Sequence, residues 1–114
     1  MAASTTEAVL LHHGKAVNSG NMDMILEDYT EASVLYIPTG TYRGLDGIKK
    51  GFEAMGKIFT PEVSASFKTI KQEIIGEYAY MLWSAPPSIP FAGDTFHIRN
   101  GKILLQSVIF QIVR

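Results

Sequence analysis

The chain has 114 residues, of which 46% are hydrophobic and 18% are charged, and its formal net charge is −1. This composition suits one compact domain over residues 1–114 and excludes an intrinsically disordered chain. The ten basic residues form no stripe, which argues against nucleic-acid binding, and no apolar run approaches the ~20 residues that cross a bilayer. The chain has no cysteine, so disulfides and cysteine metal sites are excluded. Its first residues do not resemble a signal peptide, and we expect a cytoplasmic protein.

Apolar spacing predicts three helices in the first half of the chain. Ser4 or Thr5 can cap the first helix, which ends near residue 20. Asn21 can cap a short second helix, whose apolar stripe extends to Tyr29. The third helix is predicted over Gly44–Phe59.

Strand patterns dominate the rest of the chain. The dipeptide Asn100-Gly101, between two apolar segments, is a strong signal for a β-hairpin because both residues tolerate positive φ. Helices followed by long strands predict an α+β fold with an antiparallel sheet. The predicted strands are Ser33–Ile37, Val63–Ile75, Tyr78–Ala85, Phe91–Arg99 and Lys102–Val113.

Two ionisable residues fall on segments that are predicted to be buried. His13 lies on the apolar face of the first helix, where it is either a hydrogen-bonded core residue or a residue that contacts a ligand. Asp94 lies in a strand, either as a turn residue bonded to nearby backbone or as a buried acid with a raised pKa. The adjacent His12 and His13 diverge on a helix, and His97 lies far along the chain without an obvious triad of acidic partners. The sequence therefore predicts no metal site.

The chain resembles the nuclear transport factor 2-like superfamily, and within it the SnoaL-like and ketosteroid-isomerase-like proteins. The resemblance rests on the order of elements and on four phrases. It implies a cone-shaped, curved antiparallel sheet wrapped around three N-terminal helices, the cystatin-like or nuclear transport factor 2-like fold, with an apolar pocket. The phrases are Ser19-Gly20-Asn21-Met22-Asp23, Asp28-Tyr29-Thr30-Glu31, Tyr42-Arg43-Gly44 and Asn100-Gly101-Lys102-Ile103.

Three pocket groups of the family's steroid isomerases can be compared with this chain. Ile37, before a proline, stands where those enzymes carry a general-base aspartate, so that base is absent. His13 stands where they carry a tyrosine that donates a hydrogen bond. Asp94 matches their second donor, a carboxylic acid that an apolar site keeps protonated. The resemblance implies that His13 and Asp94 form an acid/base pair in the pocket.

The resemblance also implies the other residues of the pocket, although plain core packing is an alternative for each. They are Val17, Tyr29, Leu35, Ile37, Phe52, Met81, Trp83, Gln106, Val108 and Phe110.

These observations favour a pocket protein that binds a small apolar or aromatic molecule without a cofactor. The first alternative is a cofactor-independent isomerase, cyclase or hydratase/dehydratase that uses His13 and Asp94, and the second is a non-catalytic dimerisation domain. Members of this family commonly dimerise through the outer face of the sheet, so the resemblance implies a homodimer. On this face we expect Tyr78, Tyr80, Ile109 and Gln111.

Overall fold

A computed structural model describes residues 5–113 of the chain. This part contains four helices and six strands. In chain order they are α1 (Thr6–Ser19), α2 (Met22–Leu26), β1 (Tyr29–Ile37), β2 (Gly40–Arg43), α3 (Gly44–Gly56), α4 (Pro61–Ala65), β3 (Lys68–Ile75), β4 (Tyr78–Ala85), β5 (Ile89–Arg99) and β6 (Lys102–Phe110). None of the helices described between residues 5 and 113 has both the length and the apolar character that a bilayer span needs.

The first two helices begin at predicted capping residues. The Thr5 side chain accepts a hydrogen bond from the backbone N–H of Ala8, and the Asn21 side chain accepts one from Met24. Helix α1 ends at Gly20, whose φ of 72° lies in the left-handed region that glycine adopts without strain. The alternative cap, Ser4, lies outside the described residues. Local hydrogen bonding therefore determines both helix starts, as the sequence predicts.

Two segments differ from the prediction. Tyr29 belongs to β1 and not to α2, because the backbone pairs with β6 from Tyr29 opposite Ile103 onward. Val63 lies in α4 and not in a strand, because Thr60 caps a new helix and Pro61 occupies its first turn. Helix α3 accordingly ends at Gly56, three residues earlier than predicted.

The strands form one sheet in the order β2-β1-β6-β5-β4-β3. Strands β1 and β6 run parallel, while the other four neighbouring pairs are antiparallel, so the sheet is mixed and not antiparallel throughout. The predicted hairpin is confirmed, with Asn100 and Gly101 at φ 53° and 78°. Strand β5 begins two residues earlier than predicted and β6 ends three residues earlier.

One face of the sheet is covered by helices and the other is open. Helix α3 packs on β1 and β2, and α1 contacts β5. Gly51 permits the close approach of α3, because a Cβ there would lie 2.9 Å from Leu35 Cδ2. The inner face carries the core, which includes Leu35, Trp83 and Phe96. The α+β class and the curved sheet around the helices are confirmed, and the inner face is where the candidate site lies.

Candidate functional site

A chain of four hydrogen-bonded side chains lies on the inner face of the sheet; we call it the Asp94 network. The Tyr29 hydroxyl donates to Gln106 Oε1, and Gln106 Nε2 donates to Asp94 Oδ2 at 2.9 Å. Trp83 Nε1 donates to Asp94 Oδ1 at 2.7 Å. Asp94 is 6% exposed and Gln106 is 2% exposed, and Tyr29 and Trp83 are also buried. The Asp94 network thus forms a polar centre within a mainly apolar core.

Strand register brings these residues together. Asp94 lies opposite Val108 of β6 and Met81 of β4, while Gln106 lies opposite Phe96. Because alternate residues of a strand point to the same face, Asp94 and Phe96 both face the helices. Asp94 is therefore a buried strand residue, and the alternative of a turn aspartate does not apply.

Asp94 is poised to titrate near neutral pH. Burial raises the pKa of Asp94 from 3.8 to about 6, although the hydrogen bonds from Trp83 and Gln106 lower it. Burial also raises the pKa of Tyr29 well above its usual range, and the nearby Asp94 and Asp28 add to this effect. At neutral pH Asp94 is therefore mainly a carboxylate that accepts hydrogen bonds, and Tyr29 stays a neutral donor.

His13 lies inside a cage of aromatic rings. The centroid of its ring is 6.0 Å from that of Tyr29, 6.1 Å from Phe52 and 5.7 Å from Phe96. Burial, and secondarily the neighbouring His12, lowers the pKa of His13 from 6.5 to about 4. His13 Nδ1 is buried and has no hydrogen-bond partner among the described residues. His13 is thus neutral at pH 7 and carries an unused polar atom.

The expected acid/base pair of His13 and Asp94 is not formed. Within residues 5–113 no hydrogen bond or ion pair joins the two side chains; the Asp94 oxygens accept from Trp83 and Gln106, and His13 Nδ1 has no partner. Tyr29 links them indirectly, since it packs on His13 and bonds to Gln106. Burial also keeps His13 uncharged, so it supplies no counter-charge to Asp94.

The other residues of the expected pocket are mostly part of the packed core. Val17 is the exception: it is 44% exposed, because the buried face of α1 runs through Val9, His13 and Ala16 instead. Leu35, Ile37 and Val108 are buried, and Phe52, Met81 and Phe110 are partly buried against the core.

Trp83 also belongs to a group of four rings, which we call the aromatic cluster. The centroid of the Trp83 ring lies 5.6 Å from that of Phe59 and 5.1 Å from that of Phe67. The ring centroids of Phe59 and Phe110 are 5.6 Å apart. Phe67 is 45% exposed, so the aromatic cluster extends from the buried indole of Trp83 to the surface.

Two surface concavities lie elsewhere in the described part of the chain. One, of about 460 Å³, lies on the outer face of the sheet beside Tyr80, Phe91 and Ile109. The other, of about 330 Å³, lies beside Lys57 and Ile112. Neither is lined by Asp94 or His13.

Two ionic clusters were not predicted from the sequence. His12 Nδ1 lies 2.8 Å from both carboxylate oxygens of the buried Asp28. Burial raises the pKa of Asp28, and the hydrogen bond from His12 opposes that shift. Glu77 Oε1 lies 3.0 Å from His97 Nε2 and also binds Arg99, so His97 has one acidic partner. Pairing across 16 and 20 residues leaves no local sequence signal.

Within the described residues, no three or more His, Asp or Glu side chains are grouped so as to hold a metal ion.

Comparison with known proteins places this chain in a family. The chain matches the SnoaL-like domain over residues 11–105. No functionally curated protein matches it by sequence.

Solved structures share the fold at low sequence identity. An NTF2-like protein of unknown function from Cytophaga hutchinsonii is 20% identical, with a TM-score of 0.71 over 94% of this chain and 90% of that one. A candidate polyketide cyclase from Sinorhizobium meliloti is 18% identical, with a TM-score of 0.71 over 88% and 92% of the two chains. A de novo designed protein with a curved β-sheet is 15% identical, with a TM-score of 0.74 over 97% and 88%.

A shared fold does not by itself imply a shared activity. The predicted membership of the nuclear transport factor 2-like superfamily is confirmed. The domain match over residues 11–105, together with the curved mixed sheet, shows that the chain belongs to the SnoaL-like domain family.

Proposed function

We propose that the protein binds a compact, largely apolar small molecule at the Asp94 network. The observation that carries this proposal is a buried carboxylate, Asp94, held by two neutral donors in a core that is mainly apolar. Burying an ionised group is unfavourable, and well-packed apolar residues of similar volume are often as stable or more so. A polar centre of this kind is therefore better explained by recognition of a ligand than by stability.

The unpartnered nitrogen of His13 supports the same proposal. A buried polar atom without a hydrogen bond costs about 1–3 kcal/mol. A ligand with a polar group at that position would satisfy His13 Nδ1. Because Tyr29 contacts His13 and is bonded to Gln106, one molecule that displaces or contacts Tyr29 would reach both ends of the site.

A fragment screen tests this proposal. We expect some neutral or charged apolar fragments to raise the melting temperature of the wild-type protein, with about 2.7 kcal/mol of added stability at a hundredfold excess over Kd. The added stability should be largely lost in Asp94→Asn. The control Glu77→Gln, which removes an exposed carboxylate, should behave like the wild type. Fragments that stabilise Asp94→Asn as well as the wild type would contradict the proposed site.

A second candidate function is proton transfer without a cofactor, as in an isomerase, cyclase or dehydratase. It is favoured by the pKa of Asp94, about 6, since a general base is most effective when its pKa lies near the working pH. In this version Asp94 is the base and His13 is a neutral hydrogen-bonding group. A bound fragment with acidic C–H groups should then exchange them with deuterium in D₂O, and Asp94→Asn should abolish the exchange.

We also propose that two copies of the chain pair through the outer face of the sheet. This face exposes several large apolar side chains, and Phe91 and Ile109 are 58% and 66% exposed. Large exposed apolar patches are typical of protein interfaces. Of the residues expected there, Tyr78, Tyr80 and Gln111 are exposed as well.

The expected cytoplasmic location stays a prediction.

A further inference from the structure

The Asp94 carboxylate has no cationic partner in the described part of the chain. The ion pairs of residues 5–113 involve other acids, and Arg99 and His97 are both bound to Glu77. Lys102 donates to the backbone oxygen of Glu27. His13, the buried histidine of the site, is neutral at pH 7. Buried charges in proteins are normally paired, so this carboxylate is an exception that calls for an explanation.

The hydrogen-bond directions leave the Asp94 carboxylate with acceptor capacity only. The Tyr29 hydroxyl donates to Gln106 Oε1, which orients the amide group so that Nε2 points to Asp94. The Trp83 indole can only donate, and it binds the other carboxylate oxygen. A carboxylate offers about four lone-pair positions, and two of them are used. What Asp94 can still bind is therefore a donor, such as N–H or O–H.

The aromatic cluster adjoins this acceptor. Trp83 binds Asp94 through its nitrogen and packs its ring against Phe59 and Phe67. Aromatic faces attract cations, and tryptophan does so most strongly. The same rings provide apolar area for the body of a ligand, and the exposed Phe67 connects them to solvent.

We propose that the ligand of this site is a compact organic amine in its protonated form, whose ammonium group binds the Asp94 carboxylate and whose apolar or aromatic body packs on the aromatic cluster. This inference rests on the function proposed above and names the chemical class of its ligand. The positive charge of the ligand provides the partner that residues 5–113 do not supply to Asp94. An anionic ligand would place two negative charges together in a buried site.

Three probes of nearly equal shape test the charge preference: 2-phenylethylamine (a cation), 2-phenylethanol (neutral) and phenylacetate (an anion). Their binding to the wild-type protein is measured by calorimetry at pH 7.5. We expect the amine to bind about tenfold more tightly than the alcohol, since a hydrogen bond between charged groups is stronger than a neutral one. Phenylacetate should bind more weakly than both. This comparison uses one folded protein, so it does not depend on any variant.

Two variants locate the effect. In Asp94→Asn the tenfold preference for the amine over the alcohol should fall to about threefold or less. In Glu77→Gln, which loses an exposed carboxylate, the preference should be unchanged. A preference that persists in Asp94→Asn would overturn the proposal, because the amine would then bind elsewhere.

The remaining outcomes separate this inference from the proposed function. If the alcohol or phenylacetate binds as tightly as the amine and requires Asp94, the amine class is wrong and the ligand site stands. If none of the three probes binds, the amine proposal is overturned. The fragment screen then decides independently whether Asp94 marks a ligand site at all.

Discussion

The two buried ionisable groups, Asp94 and His13, should give the stability of this protein opposite dependences on pH. A pKa difference of one corresponds to about 1.4 kcal/mol. The Asp94 pKa rises from 3.8 to about 6 on folding, so its protonation favours the folded state by about 3 kcal/mol. This stabilisation is fully present below pH 3.8 and is lost as the pH rises through about 6.

His13 acts in the opposite direction over nearly the same range. Its pKa falls from 6.5 to about 4 on folding, so the unfolded chain takes up the proton first. The folded state keeps its stability above pH 6.5 and loses about 3 kcal/mol as the pH falls through about 4. In the wild-type protein the two effects largely cancel, and single variants should reveal them.

The assay is urea unfolding of the wild type, Asp94→Asn and His13→Gln at several pH values between 3.5 and 7.5. Relative to the wild type, Asp94→Asn should lose about 2 kcal/mol of stability as the pH falls from 6.5 to 4, because the variant lacks the stabilisation that protonation of Asp94 gives the wild type. His13→Gln should gain a similar amount over this range. Taking differences from the wild type cancels the titration of all other groups, including Asp28. Two differences with the same sign, or none above about 0.5 kcal/mol, would refute the argument that burial raises the pKa of Asp94 and lowers that of His13.

Two further predictions concern packing and assembly. We expect the 12.6 kDa chain to sediment as a dimer, and Tyr80→Glu should convert the proposed dimer into a monomer, while Lys49→Glu on α3 should not; a wild-type protein that sediments as a monomer at micromolar concentration would contradict the proposed interface. Gly51→Ala should destabilise the protein by about 1–3 kcal/mol in urea unfolding, because the new methyl group would lie 2.9 Å from Leu35 Cδ2. In the control Gly56→Ala the methyl group meets nothing within 4 Å, so a loss as large as that of Gly51→Ala would contradict the packing argument.

Local chemistry in the sequence is sufficient to predict much of the fold. The caps at Thr5 and Asn21 and the hairpin at Asn100-Gly101 depend on residues within three positions of each other, so their signals can be read along the chain. Period-two alternation places Asp94 and Trp83 within strands. At Thr60-Pro61 the cap and the proline start a short helix although the apolar pattern from Val63 onward predicts a strand.

The candidate site depends on contacts that the sequence does not encode locally. The Tyr29–Gln106 bond spans 77 residues and requires β1 to lie parallel to β6, which no hairpin signal indicates. Register between β4, β5 and β6 decides that Trp83 and Gln106, and not His13, bind the Asp94 carboxylate. The sequence identifies Asp94 and His13 as unusual residues because each lies in an apolar segment. Only the tertiary structure determines their partners and their charges, since hydrogen bonding and desolvation depend on the residues that surround a group in space.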